Sequence, residues 1–464
     1  MKILCFKLIL KKNLIICIKY FLHLLSHYNY TSLLIIYVHS YKCIQFLFYG
    51  VKMNIIDLFS GAGGLTEGFI RQGFNTVAHV EMDKHACSTL KTRLFYHILK
   101  ENKINDYAAY INEEISLSQL FEDNKDLLDV VSLSVINQEI NDLSEKNIIN
   151  YVHDLIRLQG VSHIEGIIGG PPCQAYSCAG KGRDYNNMKK DPRNYLYKHY
   201  LSFLKEFNPD FFVFENVPGM LSAKTNIEIF PDFKDNVEKL GYNIDFELLY
   251  SNDFNVLQKR RRLIIIGHKD NKDYFDLNLY KGTTFKVWDV LKDLPKLNPS
   301  EGTDSPVEYT NKISRYLKET NMRTKKDIVI NHSARNHNEN DRQIYRLVIN
   351  AWNNNHQRLR YDQLPNELIT HKNKKSFLDR FKIVAGDLPY SHTIMAHLSK
   401  DGHYFIHPDI NQARSITVRE AARLQSFPDN YKFEGPRTSQ FKQVGNAVPP
   451  LMAEGIAEKI KNVI

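Results

Sequence analysis

Residues 54–81 read NIIDLFSGAGGLTEGFIRQGFNTVAHVE. The apolar run 54–59 has the length of a short strand, 60–64 is a glycine-rich turn, and 65–72 carries a helical pattern stopped by Gly73. Residues 75–80 then read as a second strand, and Glu81 follows at once. Strand, turn, helix, strand and acid in that order make an α/β unit with a nucleotide-type site. Glycines let the backbone approach a ligand closely, and an acid at the end of the second strand can accept both hydroxyls of a ribose. The G-A-G-G spacing departs from the GxGxxG of dinucleotide enzymes, because Thr66 stands where the last glycine should be. An adenosyl ligand lacking phosphate therefore fits better than a pyrophosphate, although the loop alone is also compatible with a structural turn.

Downstream, residues 93–162 are rich in Asn, Glu, Asp and Lys, and they read as helices and loops that carry little chemistry. A strand at 164–168 runs into Gly169, Gly170, Pro171, Pro172 and Cys173. Two prolines stiffen this loop and two glycines relieve its crowding, so Cys173 is presented at the carboxyl end of a strand, where ligands of open α/β sheets bind. Cys178, in Tyr-Ser-Cys-Ala, has instead the character of a small hydrophobe. A second strand at 210–214 ends in Glu215. Between the two strands, Leu196, Tyr200, Phe203, Leu204 and Phe207 recur on one helical face. This βαβ crossover predicts parallel neighbours and puts Cys173 and Glu215 at one pocket, although a lone Glu at a strand end also fits a solvated position. Further on, Lys259 to Arg262 precede a strand at 263–267; if extended, they place Arg260 and Arg262 on one side and Lys259 and Arg261 on the other. From charge alone, a solvated face is an equal reading.

The formal net charge of the 464 residues is +9, from 61 Lys plus Arg and 52 Asp plus Glu. Its distribution is uneven. Residues 1–52 hold seven Lys and no acid, residues 312–382 hold 16 basic and 7 acidic side chains, and everything else sums to −7. The question of a polyanionic partner therefore concerns one internal stretch of about seventy residues. Residues 20–41 contain no Lys, Arg, Asp or Glu, a length that would just span a bilayer. They also contain His23, His27, Asn29 and His39, lie after Lys11, Lys12 and Lys19, and show no small-residue cleavage site. Neither an anchor nor a secretory signal fits, and residues 1–52 are read as an N-terminal extension with Met53 as the working start. Six cysteines, three of them in that extension, make no disulfide framework or paired zinc spacing, and the 18 His include no HExxH, so no metal is expected.

DLFSGAGGL (57–65), GGPPCQ (169–174), ENV (215–217), QKRRR (258–262), RSITVREAARLQSFPD (414–429) and QVGNAVPP (443–450) resemble, in order, the motifs of the cytosine-5 DNA methyltransferases. The ordered set covers residues 53–464 and is highly specific. The resemblance implies a Rossmann-like α/β sheet that binds S-adenosylmethionine, over 53–298, with a smaller target-recognition domain inserted at 299–385 and the last motifs, 386–464, returning to the catalytic domain. It implies that Phe59, Ser60, Gly61 and Gly64 line the methionine and adenosine, that Glu81 takes the ribose, and that Asn446 and Val448 complete the pocket. Cys173 would attack carbon 6 of a cytosine flipped out of double-stranded DNA, and Glu215 would hold a proton at ring nitrogen 3. Arg260 and Arg262 would stabilise the base oxygen, the flipped phosphate or the Cys loop. Two departures stand out. Leu257 replaces the usual Pro before the Gln, and the nearest match to the adenine-contacting Asp-Ile pair is Glu139-Ile140, 58 positions after Glu81, which makes the residues between an insertion.

Two other functions are weighed against this one. A tRNA-methylating branch shares the catalytic motifs but carries a Cys-Phe-Thr signature in its recognition region, and this chain has no Cys after Cys178. A catalytically silent relative would be expected to have lost the nucleophile or the acid, and Cys173 and Glu215 are both present. The expectation is therefore a DNA (cytosine-5-)-methyltransferase of restriction-modification type, monomeric, in a prokaryotic cytoplasm, with a cognate endonuclease acting separately and no membrane partner.

Overall fold

The computed structural model describes residues 53–464 apart from 101–102, 173–191, 225–227, 278, 280–281 and 371–375. Seven strands form one sheet: β1 (Asn54–Leu58), β2 (Asn75–Glu81), β3 (Val135–Asn137), β4 (Gly166–Gly169), β5 (Phe211–Asn216), β6 (Asn243–Tyr250) and β7 (Arg261–His268). Their spatial order is β3-β2-β1-β4-β5-β7-β6. The pairs from β3 through β5 are parallel, and β7 runs antiparallel to both β5 and β6. The order reverses at β1, so the carboxyl ends of β1 and β4 open onto the crevice where open α/β sheets take their ligands.

Local signals explain the helices. α1 (Gly64–Arg71) begins after Gly63, whose φ of 78° only glycine adopts cheaply, and stops ahead of Gly73 at φ 92°. α2 (Lys84–Leu99) is capped by the Asp83 carboxylate, which accepts the N–H groups of His85 and Ala86 at 2.9 and 3.0 Å, a device contributing about 1 kcal/mol. Three helices follow, α3 (Ile104–Ile111), α4 (Leu117–Asp123) and α5 (Lys125–Ser134), and then β3. They bury Tyr107, Tyr110, Ile111, Leu120 and Val131 with Phe95 and Leu99 of α2 and with Ile330. β3 corrects the reading of 93–162 as helices and loops alone. Three residues, Val-Ile-Asn, are too few to display a period of two, and pairing with His79–Glu81 of β2 makes them a strand.

α6 (Glu145–Gln159), α7 (Leu196–Phe207) and α8 (Ile229–Lys239) cover one face of the sheet. Ile56, Leu58, Ile167, Phe212, Phe214 and Leu263 meet Ile148, Val152, Tyr200, Phe203 and Phe233 there, each at or near zero exposure. Burying each large apolar side chain stabilises the fold by about 1.5–3 kcal/mol. The expected crossover is present: α7 links β4 to β5, which are parallel neighbours. On the other face α1 packs so closely on α14 (Pro450–Val463) that a Cβ on Gly68 would lie 2.5 Å or less from Ala453 and Glu454. The C-terminal helix is thereby part of the same layer as the glycine loop.

The rest of the chain stacks on the carboxyl side. α9 (Trp288–Leu291), α10 (Arg315–Glu319), α12 (Val418–Leu424) and α13 (Arg437–Asn446) share a core built from Val290, Leu317, Met322, Val384, Ile416, Leu424, Phe427 and Val444. α11 (Glu339–Asn355) has a separate cluster, in which Ile344, Tyr345, Val348 and Trp352 meet Tyr361, Phe381, Ile383 and Ile406. Among the described residues no helix is long and apolar enough to cross a membrane.

Candidate active site

The loop after β1 is built for close approach. Phe59 takes a φ of 56° and Gly61 one of 55°. A bulky residue in that region is uncommon, and the loop is held there by Ser60, whose N–H donates to the Val80 carbonyl at 3.1 Å and whose hydroxyl donates to that of Asp57 at 2.9 Å. Glu81, at the end of β2, accepts the Gly61 N–H at 2.8 Å and the Asp83 N–H at 2.7 Å. Burial pushes its carboxyl above the usual value, opposed by those two backbone donors. Gly64 closes the far side: a Cβ there would lie 2.3 Å from the Val448 carbonyl. Phe59, Ser60 and Gly61 thus stand beside Glu81 through the Gly61 N–H contact, Gly64 packs against the Val448 carbonyl, and Asn446, two residues before Val448, is exposed. A carboxylate that accepts from backbone N–H groups, beside a Gly61 with open space where a Cβ would stand, fits the ribose and methionine parts of S-adenosylmethionine. Glu139 lies two residues beyond β3, exposed, past the edge of β2 that ends in Glu81.

The second half of the site lies at the ends of β4 and β5. Glu215 faces Arg262 across the antiparallel β5–β7 pair, and Arg262 Nε donates to Glu215 Oε1 at 2.7 Å, with the two side chains 15% and 13% exposed. The loop leaving β4 lies directly on this carboxylate: a Cβ on Gly170 would be 2.6 Å from Glu215 Oε2, and one on Gly169 2.3 Å from the Leu58 carbonyl. Backbone contact requires glycine at 169, while a side chain at 170 would push the Glu215 carboxylate aside. Cys173 and Gln174, expected next on this loop, lie outside the described residues, as does Cys178. The alternation expected of 259–262 is observed: Lys259 and Arg261 are exposed, Arg260 is buried, and Arg262 is partly covered. The two inward arginines diverge, however. Arg260 donates to the carbonyls of Ile394 at 2.9 Å, Gly445 at 3.0 Å and Asn446 at 3.3 Å, so it holds the turn that carries Asn446, while Arg262 holds Glu215.

The family model for C-5 cytosine-specific DNA methylase matches residues 53–128 and 109–462. The chain belongs to that family. It is 43% identical over 451 residues to the Type II methyltransferase M.Bpa9945I of Bacillus paralicheniformis, covering 89% of this chain and 99% of the relative. To the Type II methyltransferase M1.HphI of Haemophilus parahaemolyticus it is 30% identical, over 93% and 92% of the two chains. Among solved structures, a putative DNA modification methyltransferase encoded in an Escherichia coli prophage superposes with a TM-score of 0.57 at 26% identity, over 89% of this chain and 99% of the other. The protein is a DNA (cytosine-5-)-methyltransferase, and the family is one that generally uses S-adenosylmethionine.

Several residues that shape the methyltransferase site were not singled out from sequence. Asp57, buried on β1, accepts from the Thr66 hydroxyl of α1 and faces His79 Nδ1 of β2 at 3.3 Å, fixing the strand–loop–helix joint from below. Glu67 receives Arg93 at 2.8 and 2.5 Å and His97 at 2.8 Å; its own burial would raise its carboxyl, but the Arg93 and His97 charges bring it well below the usual value. Arg93 also lies 4.6 Å over the Tyr431 ring, and the Tyr431 hydroxyl donates to the Ala62 carbonyl inside the glycine loop. The motif RSITVREAARLQSFPD builds a buried charge lattice: Arg414 chelates Glu420, Arg423 bridges Asp293 and Asp429, and Arg419 donates to the Ile330, Pro428 and Tyr431 carbonyls. The only sequence signal was Arg419, Glu420 and Arg423 on one short helix, with Arg414 before it and Asp429 after it, which reads equally as a solvated face.

Proposed function

We propose that this methyltransferase transfers the methyl group of S-adenosylmethionine to carbon 5 of a cytosine turned out of duplex DNA, through a transient bond between Cys173 and ring carbon 6. One observation supports it most: the Arg262–Glu215 pair at the end of β5 lies under Gly170, three residues before Cys173. That pair stands at the same edge of the sheet as the loop 59–64 and Glu81.

The cofactor supplies an electrophilic methyl group. Phe59, Ser60, Gly61 and Gly64 would hold it with Glu81 on the ribose, Glu139 near the adenine, and Asn446 and Val448 closing the pocket. At an ordinary thiol pKa of about 8.5, only about 3% of Cys173 is thiolate at pH 7, so the site must favour the anion. Cys173 sulfur gives an electron pair to carbon 6 while Glu215 shares a proton with ring nitrogen 3, and the displaced ring electrons gather at carbon 5. Carbon 5 would then take the methyl group, whose bond to the cofactor sulfur breaks with its electron pair left on that sulfur. Loss of its proton to a base returns electrons to the ring, breaks the sulfur–carbon bond and sends the nitrogen 3 proton back to Glu215. Arg262 fixes the Glu215 carboxyl and brings positive charge beside the base; Arg260 acts on the turn at 445–446. Extruding the base costs on the order of a few kcal/mol, recovered in pocket contacts.

The basic segment within 299–385 would lie on DNA and read its sequence, with 386–464 returning to the catalytic domain. A monomer in the cytoplasm, protecting host DNA against a separate restriction endonuclease, completes the reading. The test is incubation of the full chain with methyl-labelled S-adenosylmethionine and either duplex DNA or tRNA. Label on carbon 5 of DNA cytosine is expected, abolished by Cys173→Ala with cofactor binding retained; label on tRNA alone, or normal turnover by that variant, would overturn the proposal.

A further inference from the structure

Lys259 and Arg261 form the outward side of the strand whose inward side carries Arg260 and Arg262, and neither belongs to the mechanism above. Both are exposed, and neither is ion-paired among the described residues; Asp253 is an acid that feels the Lys259 charge. Yet both are held. Arg261 lies opposite Tyr250 in the β6–β7 register, with its guanidinium carbon 5.5 Å from the centre of the Tyr250 ring. Lys259 Nζ stands 5.5 Å from the same ring and 5.9 Å from that of Tyr390. The backbone beneath is tied on both sides: His392 pairs with Lys259 in a short parallel bridge, the Thr393 hydroxyl donates to the Lys259 carbonyl at 2.7 Å, and Arg262 donates to the Arg261 carbonyl at 2.8 Å.

Two cations restrained over one aromatic ring, neither of them in an ion pair among the described residues, repel each other. That cost is relieved when an anion sits against each, and seating long side chains on rings lowers the entropy lost on capturing them. The placement identifies the anion. Arg262, the next residue, touches Glu215 at the mouth of the catalytic pocket, so the two outward cations stand on the same sheet edge as the base to be methylated. We infer that Lys259 and Arg261, seated on Tyr250 and Tyr390, clamp two backbone phosphates of the DNA strand that enters the catalytic pocket. The inference rests on duplex DNA being the substrate. It adds a contact that positions without reading sequence, since phosphates carry none. It also explains four successive cations: the inward pair is committed to protein partners, and the outward pair remains for the polyanion.

The test is equilibrium binding of the full chain to a short duplex across a salt series. Each phosphate contact contributes about 0.9 to the slope of log K against log salt, so Lys259→Gln/Arg261→Gln should flatten that slope by about 1.8 and Lys259→Gln alone by about 0.9. The double variant's deficit against wild type then shrinks about tenfold between roughly 50 and 200 mM salt. Arg157→Gln, removing an exposed α6 cation already paired with Asp154, serves as the control and should leave the slope unchanged. An unchanged slope in the double variant, or an equal flattening in the control, overturns the clamp. If wild type methylates DNA and the slope does not move, the clamp alone is lost. If the slope moves as expected while wild type transfers no methyl group, the clamp stands and the catalytic reading falls.

Discussion

Glu81 and Glu215 hold equivalent positions, each at the carboxyl end of a parallel strand and each partly covered, yet their surroundings differ in kind. Glu81 receives two backbone N–H groups, from Gly61 and Asp83, and burial raises its carboxyl. Glu215 receives a guanidinium, Arg262, and has the β4 loop on its other oxygen. A carboxylate met by neutral donors is suited to accept hydroxyls from a bound ligand; one met by a cation beside a pocket is suited to proton chemistry on a base. One residue type at equivalent topological positions thus meets different partners, which suits it to the two tasks proposed above.

This division gives an order of expected effects. Glu215→Gln should lower single-turnover methyl transfer to DNA by about 10²–10⁴-fold, with cofactor affinity by calorimetry close to wild type. A large loss of cofactor binding would mean that the two ends of the sheet are not separable. Glu81→Ala should do the reverse: cofactor binding weakens by about 1.5–3 kcal/mol, about ten- to a hundredfold in Kd, with turnover at saturating cofactor little affected. If turnover falls with saturation reached, Glu81 has a role in the chemistry. Gly64→Ala probes the wall they share, since its Cβ meets the Val448 carbonyl at 2.3 Å. A loss of about 1–3 kcal/mol in denaturant unfolding is expected, and no loss would mean that the C-terminal turn does not press on the loop.

The smallest effect is the pH response of Glu81. Its folded carboxyl titrates above the ordinary value of 4.5 because burial disfavours the charge, so the folded chain keeps this proton to higher pH than the unfolded chain does. The stability this group contributes is full below about pH 4.5 and is lost as pH rises through the folded value. Cofactor-free wild type should therefore lose stability relative to Glu81→Gln across that window. A difference between the two that is flat with pH would remove burial as the cause.

The βαβ units were legible because their signals are local: apolar runs of strand length, Gly73 stopping a helix, and one apolar face on residues 196–207. The positions of Glu81 and Glu215 followed from those runs, and the inward turn of Arg260 and Arg262 followed from alternation alone. Which arginine would hold Glu215 did not, because it depends on the β5–β7 register and on the return of residues 394 and 445–446. β3 was too short to show a period. The buried lattice of Arg414, Arg419 and Arg423 was illegible for a different reason. Charges spaced for a solvated helix are buried because Glu420 on the helix, Asp429 just beyond it and the distant Asp293 neutralise them, and removing one partner of such a set costs about 3–5 kcal/mol.

The most direct test of the central claim, that Cys173 bonds to the base beside Glu215, uses a duplex in which the target cytosine carries fluorine at carbon 5. Fluorine cannot leave as a cation, so the sulfur–carbon bond made before methyl transfer has no route to break. With S-adenosylmethionine present, the full chain should form a denaturation-resistant protein–DNA adduct, mapped by mass spectrometry to the peptide containing Cys173. Methylation of the ordinary duplex with no such adduct on the fluorinated one, or an adduct on another residue, would contradict the account.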